Sequence, residues 1–310
     1  MKNKLVLLFI ICVVLFSVNA HGVKQTSTRK SIIVDRAIIY AHEENETLKM
    51  TLYRPADSGQ YPVVVLVHGG GWLIGTRWWK SWYGHRLAEN GYIAATIDYR
   101  MLPRNPFPAC LHDCKAAIRW LRLHADEYGI DSERIGVLGD SAGGHLALFL
   151  GVTLPSDGLE GATNPGASSA VQAVVSLYGV ADLTDYEPII PRDKRDKIWL
   201  FRKFVGDESR NSKDPYAAAS PITYVHSDMC PILLVHGTKD RMVPYRQSQR
   251  FYQRTRASGS YCRLVSFSGK GHGFDYFRHG VRACTFRCFL DFFNQHLHVE
   301  VKSDGTQARQ

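Results

Sequence analysis

The chain has 310 residues, 45% of them hydrophobic and 22% charged, with a formal charge of +9. That length suits one large α/β domain, and the composition is that of a globular protein with a sizeable core, which sets aside a disordered or fibrous chain. The basic balance favours anionic surroundings, but no basic stripe interleaved with stacking aromatics singles out nucleic acid, so a solvated basic surface is expected.

Lys2 and Lys4 precede an apolar run from Leu5 to Val14, continued by Leu15, Phe16 and Val18. Val18 and Ala20 suit a signal peptidase, so residues 1–20 read as a secretory signal cleaved after Ala20, with a secreted or periplasmic product. The alternative is an uncleaved membrane anchor, for which the run is short against a span of about 20 residues. No later segment is long and apolar enough to cross a membrane, so no stable membrane insertion is expected after cleavage. Losing Lys2 and Lys4, and no acid, leaves a charge of +7.

Residues 32–40 and 48–54 alternate as two strands joined by a polar turn, in which Asn45-Glu46-Thr47 fits a glycosylation sequon. Short apolar runs follow at Pro62–Val67, Tyr92–Ile97, Ile135–Leu138, Val171–Leu177, Ile232–Val235 and Cys262–Phe267. Amphipathic stretches lie between or after them at 110–128, 142–152, 245–257 and 279–296. Continuous apolar strands separated by helices predict an α/β fold, a mostly parallel sheet covered on both faces. One folded domain is expected over 21–298, with residues 181–221 as an insertion in it, and the polar tail 299–310 reads as frayed. Between the sixth and seventh strands, residues 181–221 contain no clear strand, and Ile198–Phe204 there suggests a cap helix.

Six cysteines follow the signal. Cys110 and Cys114 share one helical apolar stripe, and Cys284 and Cys288 share another with Val281 and Phe292, where they should act as small core hydrophobes. Cys230 and Cys262 fall on neighbouring strands and could pair. No metal site is expected: on a helix, His112 would point away from the Cys110 and Cys114 thiols.

The chemistry gathers at strand ends. Gly139-Asp140-Ser141-Ala142-Gly143 places Ser141 on a sharp turn between strand and helix, with glycines where side chains would collide. A serine hydroxyl needs a base, and the base needs an orienting acid. In chain order these are Asp240, after the strand Ile232–Val235, and His272, between glycines after the last strand. Asp182 and Asp185 compete for the acid's role, and His236 reads as structural. Backbone amides of Gly70, Gly71 and Ala142 are the candidates to hold a developing oxyanion, since Val63–Val67 runs into His68-Gly69-Gly70-Gly71-Trp72.

These motifs, with His236-Gly237 before Asp240 and Gly271-His272-Gly273-Phe274, resemble the α/β-hydrolase-fold serine esterases, in the hormone-sensitive-lipase-like and feruloyl/acetyl-esterase-like branch. Asp98-Tyr99-Arg100, Phe107-Pro108-Ala109 with Asp113, and Ala219-Ser220-Pro221-Ile222 fit the same branch. The likeness covers residues 31–297. It implies an eight-stranded sheet and a secreted carboxylesterase working through an acyl-enzyme, without metal or organic cofactor. Its partners would be short-chain or polysaccharide-linked acyl esters of acetyl or feruloyl type. The chain lacks the Ala-Pro-Glu that usually follows Tyr-Arg-Leu, and its N-terminal stretch is short for a helical cap; both argue for an open site. The alternatives are a lipase on longer chains, an amidase of the formamidase kind, a peptidase (for which a gating domain is missing) and an inactive hydrolase-fold binding protein.

Overall fold

The computed structural model describes residues 31–43, 45–185, 195–206, 214–276 and 279–297. The expected signal (1–20), the tail (299–310) and parts of the 181–221 segment (186–194 and 207–213) lie outside the described residues.

The chain opens with a hairpin of β1 (Ile32–Glu43) and β2 (Glu46–Pro55), followed by β3 (Tyr61–Val67). A 3-10 turn over Arg77–Lys80 leads into α1 (Ser81–Glu89), then β4 (Ile93–Ile97). Next come α2 (Ala109–Leu123), α3 (Ala125–Tyr128), β5 (Ile130–Asp140), α4 (Ala142–Val152) and β6 (Ala173–Leu177). The chain ends with α5 (Arg195–Val205), α6 (Pro215–Ala218), β7 (Ile232–Gly237), α7 (Arg246–Ala257), β8 (Cys262–Phe267) and α8 (His279–Leu297). The stretch expected as one helix over 110–128 breaks at His124, which leaves helical geometry at φ −111°.

The eight strands form one sheet in the order β1-β2-β4-β3-β5-β6-β7-β8. Only the pairings of β2 with β1 and β4 are antiparallel; the rest run parallel. The pleat sends alternate residues to opposite faces. Val63, Val65 and Val67 pack into a core with Leu111, Ile118, Leu146 and Phe149. Val64 and Leu66 pack into a second core with Leu87, Phe289 and Phe293. β3 is thus apolar throughout because both its faces are covered by helices.

One packing expectation fails. Cys110 and Cys114 are buried, but Cys284 is exposed and Cys288 half-buried. The buried stripe of α8 runs through Thr285, Phe286, Phe289, Phe292, Phe293 and Leu297. Each phenylalanine removes far more apolar surface from water than a thiol does, so the aromatics take the sheet-facing side and rotate the cysteines outward. All six described cysteines are free thiols, Cys230 and Cys262 included. Among the described residues no helix is long and apolar enough to cross a membrane.

Because β3, β5, β6, β7 and β8 are parallel, their carboxyl ends open on one edge, where ligands bind in open α/β sheets.

Candidate active site

β5 stops at Asp140 and α4 starts at Ala142, so Ser141 alone makes the turn, at φ 52° and ψ −118°. A non-glycine residue there carries strain of about 1–3 kcal/mol and persists only when its surroundings impose it. Here they do. A Cβ on Gly139 would lie 2.0 Å from the Gly143 carbonyl oxygen, and one on Gly143 would lie 2.3 Å from that of Val67. The Ser141 amide donates to Leu177 O at 2.9 Å. The turn is pressed against β3 and β6, and only glycines allow that approach.

His272 bridges the serine and the acid. Its Nε2 lies 2.9 Å from Ser141 Oγ, and its Nδ1 lies 2.7 Å from Asp240 Oδ2. A proton on Nδ1 satisfies the carboxylate and leaves Nε2 to accept the serine hydroxyl. The edge of the imidazole rests on the Tyr178 ring, centroids 4.7 Å apart. Asp240 Oδ1 accepts the amides of Met242 and Val243 at 2.8 and 2.9 Å. His236 Nε2 stands 3.3 Å from Asp240 Oδ2 while contacting Val243 O at 2.9 Å, and its Nδ1 meets Ser248 Oγ at 2.7 Å. Burial works to raise the Asp240 carboxyl, but the hydrogen bonds and charges of His236 and His272 outweigh it and hold the group well below the ordinary carboxylate range. His236 is fully buried and serves the acid rather than the serine. The competing acids face elsewhere: Asp182 pairs with Arg250 at 2.9 Å and Asp185 with Arg246 at 3.3 Å.

The glycine loop lies directly on the serine. A Cβ on Gly69 would be 3.2 Å from Ser141 Cβ, and the Gly69 amide is already committed to Asp140 Oδ1 at 3.0 Å. Gly70 (φ 116°) and Gly71 (φ 63°) sit in the left-handed region, and a Cβ on Gly70 would fall 1.8 Å from Ile74 O. The amides of Gly70, Gly71 and Ala142 have no acceptor within the described chain, which leaves three donors next to the nucleophile's turn. The loop is anchored at His68, which stacks on Tyr99 at 4.4 Å and accepts the Tyr99 hydroxyl at its carbonyl, 2.9 Å.

α5 covers this loop. Leu200 would sit 3.6 Å from a Cβ on Gly71, and Trp72 stacks on Phe204 at 4.1 Å. His145 lies edge-on to Trp72 at 5.0 Å and to Phe204 at 5.2 Å.

Ser141, Asp240, His272, Gly70, Gly71 and Ala142, the residues expected to form the site, lie together at this edge of the sheet. Not foreseen were the contacts of Asp140 with Lys80, an ion pair, and with the Tyr276 hydroxyl, which donates to its Oδ2 at 2.8 Å. Asp140 lay inside the quoted serine motif and Tyr276 lies four residues after His272, so their positions were a signal; Lys80 offered none. Among the described residues no group of three or more His, Cys, Asp or Glu side chains is placed to hold a metal ion.

Residues 50–255 match the BD-FAE family model. Esterase LipC of Mycobacterium tuberculosis is 32% identical over 84% of this chain and 64% of its own length. The chain spans about half to two thirds of the length of the first curated relatives it matches. Among solved structures, the butyrate-bound esterase Est2 of Thermogutta terrifontis superimposes with a TM-score of 0.70 at 26% identity, covering 87% of this chain and 95% of that one. A truncated carbohydrate esterase from gut microbiota superimposes with a TM-score of 0.73 at 27% identity, covering 86% and 96%. The fold is theirs, and the chain belongs to the BD-FAE family of α/β-hydrolase-fold esterases.

Proposed function

We propose that this protein is a secreted serine carboxylesterase for short-chain or polysaccharide-linked acyl esters, of acetyl or feruloyl type. The observation that carries the reading is His272, in hydrogen-bond contact with Ser141 Oγ on one side and Asp240 on the other, beside three amides without acceptors. His272 Nε2 takes the hydroxyl proton as Ser141 Oγ bonds to the acyl carbon, and the carbonyl π electrons move onto oxygen. Gly70, Gly71 and Ala142 then donate to that oxyanion; losing one such donor typically costs about 10²–10³ in rate. The intermediate collapses, the C–O bond to the alcohol breaks, and His272 returns its proton to the departing alkoxide. Water repeats the sequence on the acyl-enzyme and frees the acid. Asp240 keeps its charge and holds the imidazolium in place.

The acyl preference rests on α5. Leu200 lies over Gly71, and Phe204 stacks on Trp72 beside it, so apolar side chains of the helix border the glycine loop. The butyrate bound to the Thermogutta esterase and the carbohydrate esterase among the neighbours support the same choice. Secretion rests on the apolar run of residues 5–18 behind Lys2 and Lys4.

The test is hydrolysis of p-nitrophenyl esters from acetate to palmitate, with Ser141→Ala as control. Activity confined to short chains and absent from the variant is the expected result, followed by release of acetate or ferulate from substituted oligosaccharides. A preference for long chains would replace the reading with a lipase. Absence of serine-dependent ester hydrolysis would leave an amidase or a binding protein.

A further inference from the structure

Beside the triad and the oxyanion amides lies a polar cluster, built around a buried lysine, that the reaction, as derived, does not use. Lys80 is 0% exposed. Lysine is almost never fully buried unless paired, and here it forms an ion pair with Asp140 Oδ1. Its Nζ also donates to the Tyr276 hydroxyl at 2.7 Å. That hydroxyl donates in turn to Asp140 Oδ2 at 2.8 Å. Both oxygens of Asp140 are therefore fixed, and Oδ1 also accepts the Gly69 amide at 3.0 Å. The ammonium lies over the Tyr276 and Tyr83 rings, 4.9 and 5.6 Å from their centroids.

The three residues come from three places on the chain. Lys80 ends the turn that follows the glycine loop, Asp140 immediately precedes Ser141, and Tyr276 lies four residues after His272. A second buried carboxylate extends the cluster: Asp275 accepts the Tyr83 hydroxyl at 2.6 Å and the Tyr178 hydroxyl at 2.5 Å. Tyr178 is the ring against which His272 leans. Desolvation of its hydroxyl end, and then the charge of Asp140, push the Tyr276 phenol up, although the residue as a whole is 37% exposed.

A buried ion pair is a poor source of stability, because apolar side chains of the same volume often do as well or better. Holding an orientation accounts for it better. The Gly69 amide anchors the start of the glycine loop on Asp140, and the Gly70 and Gly71 amides of that loop must face the oxyanion. A misplacement of about 1 Å at such a site can cost 10²-fold.

We propose that Lys80 and Tyr276 are positioning residues: by clamping Asp140 they hold the glycine loop, the Ser141 turn and the His272 loop in one register, and so set the oxyanion donors. The inference rests on the serine-esterase reading above. Its distinguishing consequence is that their loss weakens binding of a tetrahedral adduct without weakening binding of the ground-state ester.

Tyr276→Phe is the primary variant, since Tyr276 is part-exposed and the ring is kept; Lys80→Met is the second. For each, kcat and KM for p-nitrophenyl butyrate and Ki for an alkyl trifluoromethyl ketone would be measured, with a thermal melt to confirm folding. The ketone forms its adduct when Ser141 Oγ bonds to the carbonyl carbon and His272 takes the proton, so it reports the oxyanion donors. Tyr276→Phe should lower kcat roughly tenfold to a hundredfold, the loss expected for a hydrogen bond to a charged group, with KM within about twofold. Ki should rise by a matching factor. Lys80→Met should do the same more strongly; if it does not fold, Tyr276→Phe decides. Rates and Ki within about twofold of the parent in a folded Tyr276→Phe protein would overturn the proposal, as would a rise in KM with kcat unchanged. Labelling of the parent by a fluorophosphonate separates the two readings. A labelled parent with an indifferent Tyr276→Phe variant sinks this inference alone, whereas an unlabelled parent sinks the esterase reading itself.

Discussion

The floor of the site and the helix above it are built by opposite means. In the floor, backbone meets backbone: Gly139 against Gly143, Gly143 against Val67, Gly69 against the serine turn. Its polar groups are paired across three loops, from Asp240 with two histidines to Asp140 with Lys80 and Tyr276. α5 instead rests on ring contacts, Phe204 on Trp72 and on Phe107, and leaves Trp199 46% exposed. Close backbone packing has no slack, whereas aromatic contacts tolerate other shapes at a moderate cost. The floor therefore fixes the chemistry, and the covering helix is where substrate preference can change.

The largest effect expected from this contrast is in the floor. Gly139→Ala places a methyl group 2.0 Å from a carbonyl oxygen that cannot retreat without moving α4. Loss of folded, active protein is expected, read as soluble yield and melting temperature; a folded and fully active variant would break the contrast. Phe204→Ala, in the helix, should cost about 3–5 kcal/mol as a buried aromatic truncation, yet leave a folded enzyme at moderate temperature. Opening the space beside Trp72 should shift the chain-length optimum upward, which the p-nitrophenyl series would detect.

A smaller effect sharpens the boundary between the regions, where His145 of α4 meets Trp72 and Phe204. Burial pulls its imidazole down to about 4, only partly offset by the hydrogen bond with Ala219 O at 3.0 Å. The unfolded chain takes up this proton below about 6.5, and the folded chain does not until about pH 4. The stability involved is thus complete above pH 6.5 and is lost as pH falls from there toward 4. His68 shifts in the same direction, first through burial. Melting temperature followed over this window should fall less steeply in His145→Gln than in the parent. The smallest effect is Trp199→Ala: stability should hold within about 0.5 kcal/mol, as for exposed positions generally, and any change should appear in KM for bulky substrates alone.

The same contrast explains what could be read from the sequence. Ser141, Asp240, His272 and the glycine loop were legible because a parallel sheet delivers strand ends to one edge. A glycine two residues from a serine is needed only where backbone has no room. Cys284 and Cys288 were misjudged because helical spacing gives a stripe but not its direction, and the phenylalanines of α8 took the core side. Lys80 could not be read at all. A lysine in sequence indicates solvent, and nothing local showed that Asp140 and Tyr276, 60 and 196 positions away, would enclose it.

The most direct test of the account is fluorophosphonate labelling of the intact protein followed by peptide mass mapping. The account predicts a single adduct, on Ser141, whose formation is nearly abolished in His272→Ala and markedly slowed in Asp240→Asn. An adduct on another residue, or labelling of Ser141 at the parental rate without His272, would contradict it.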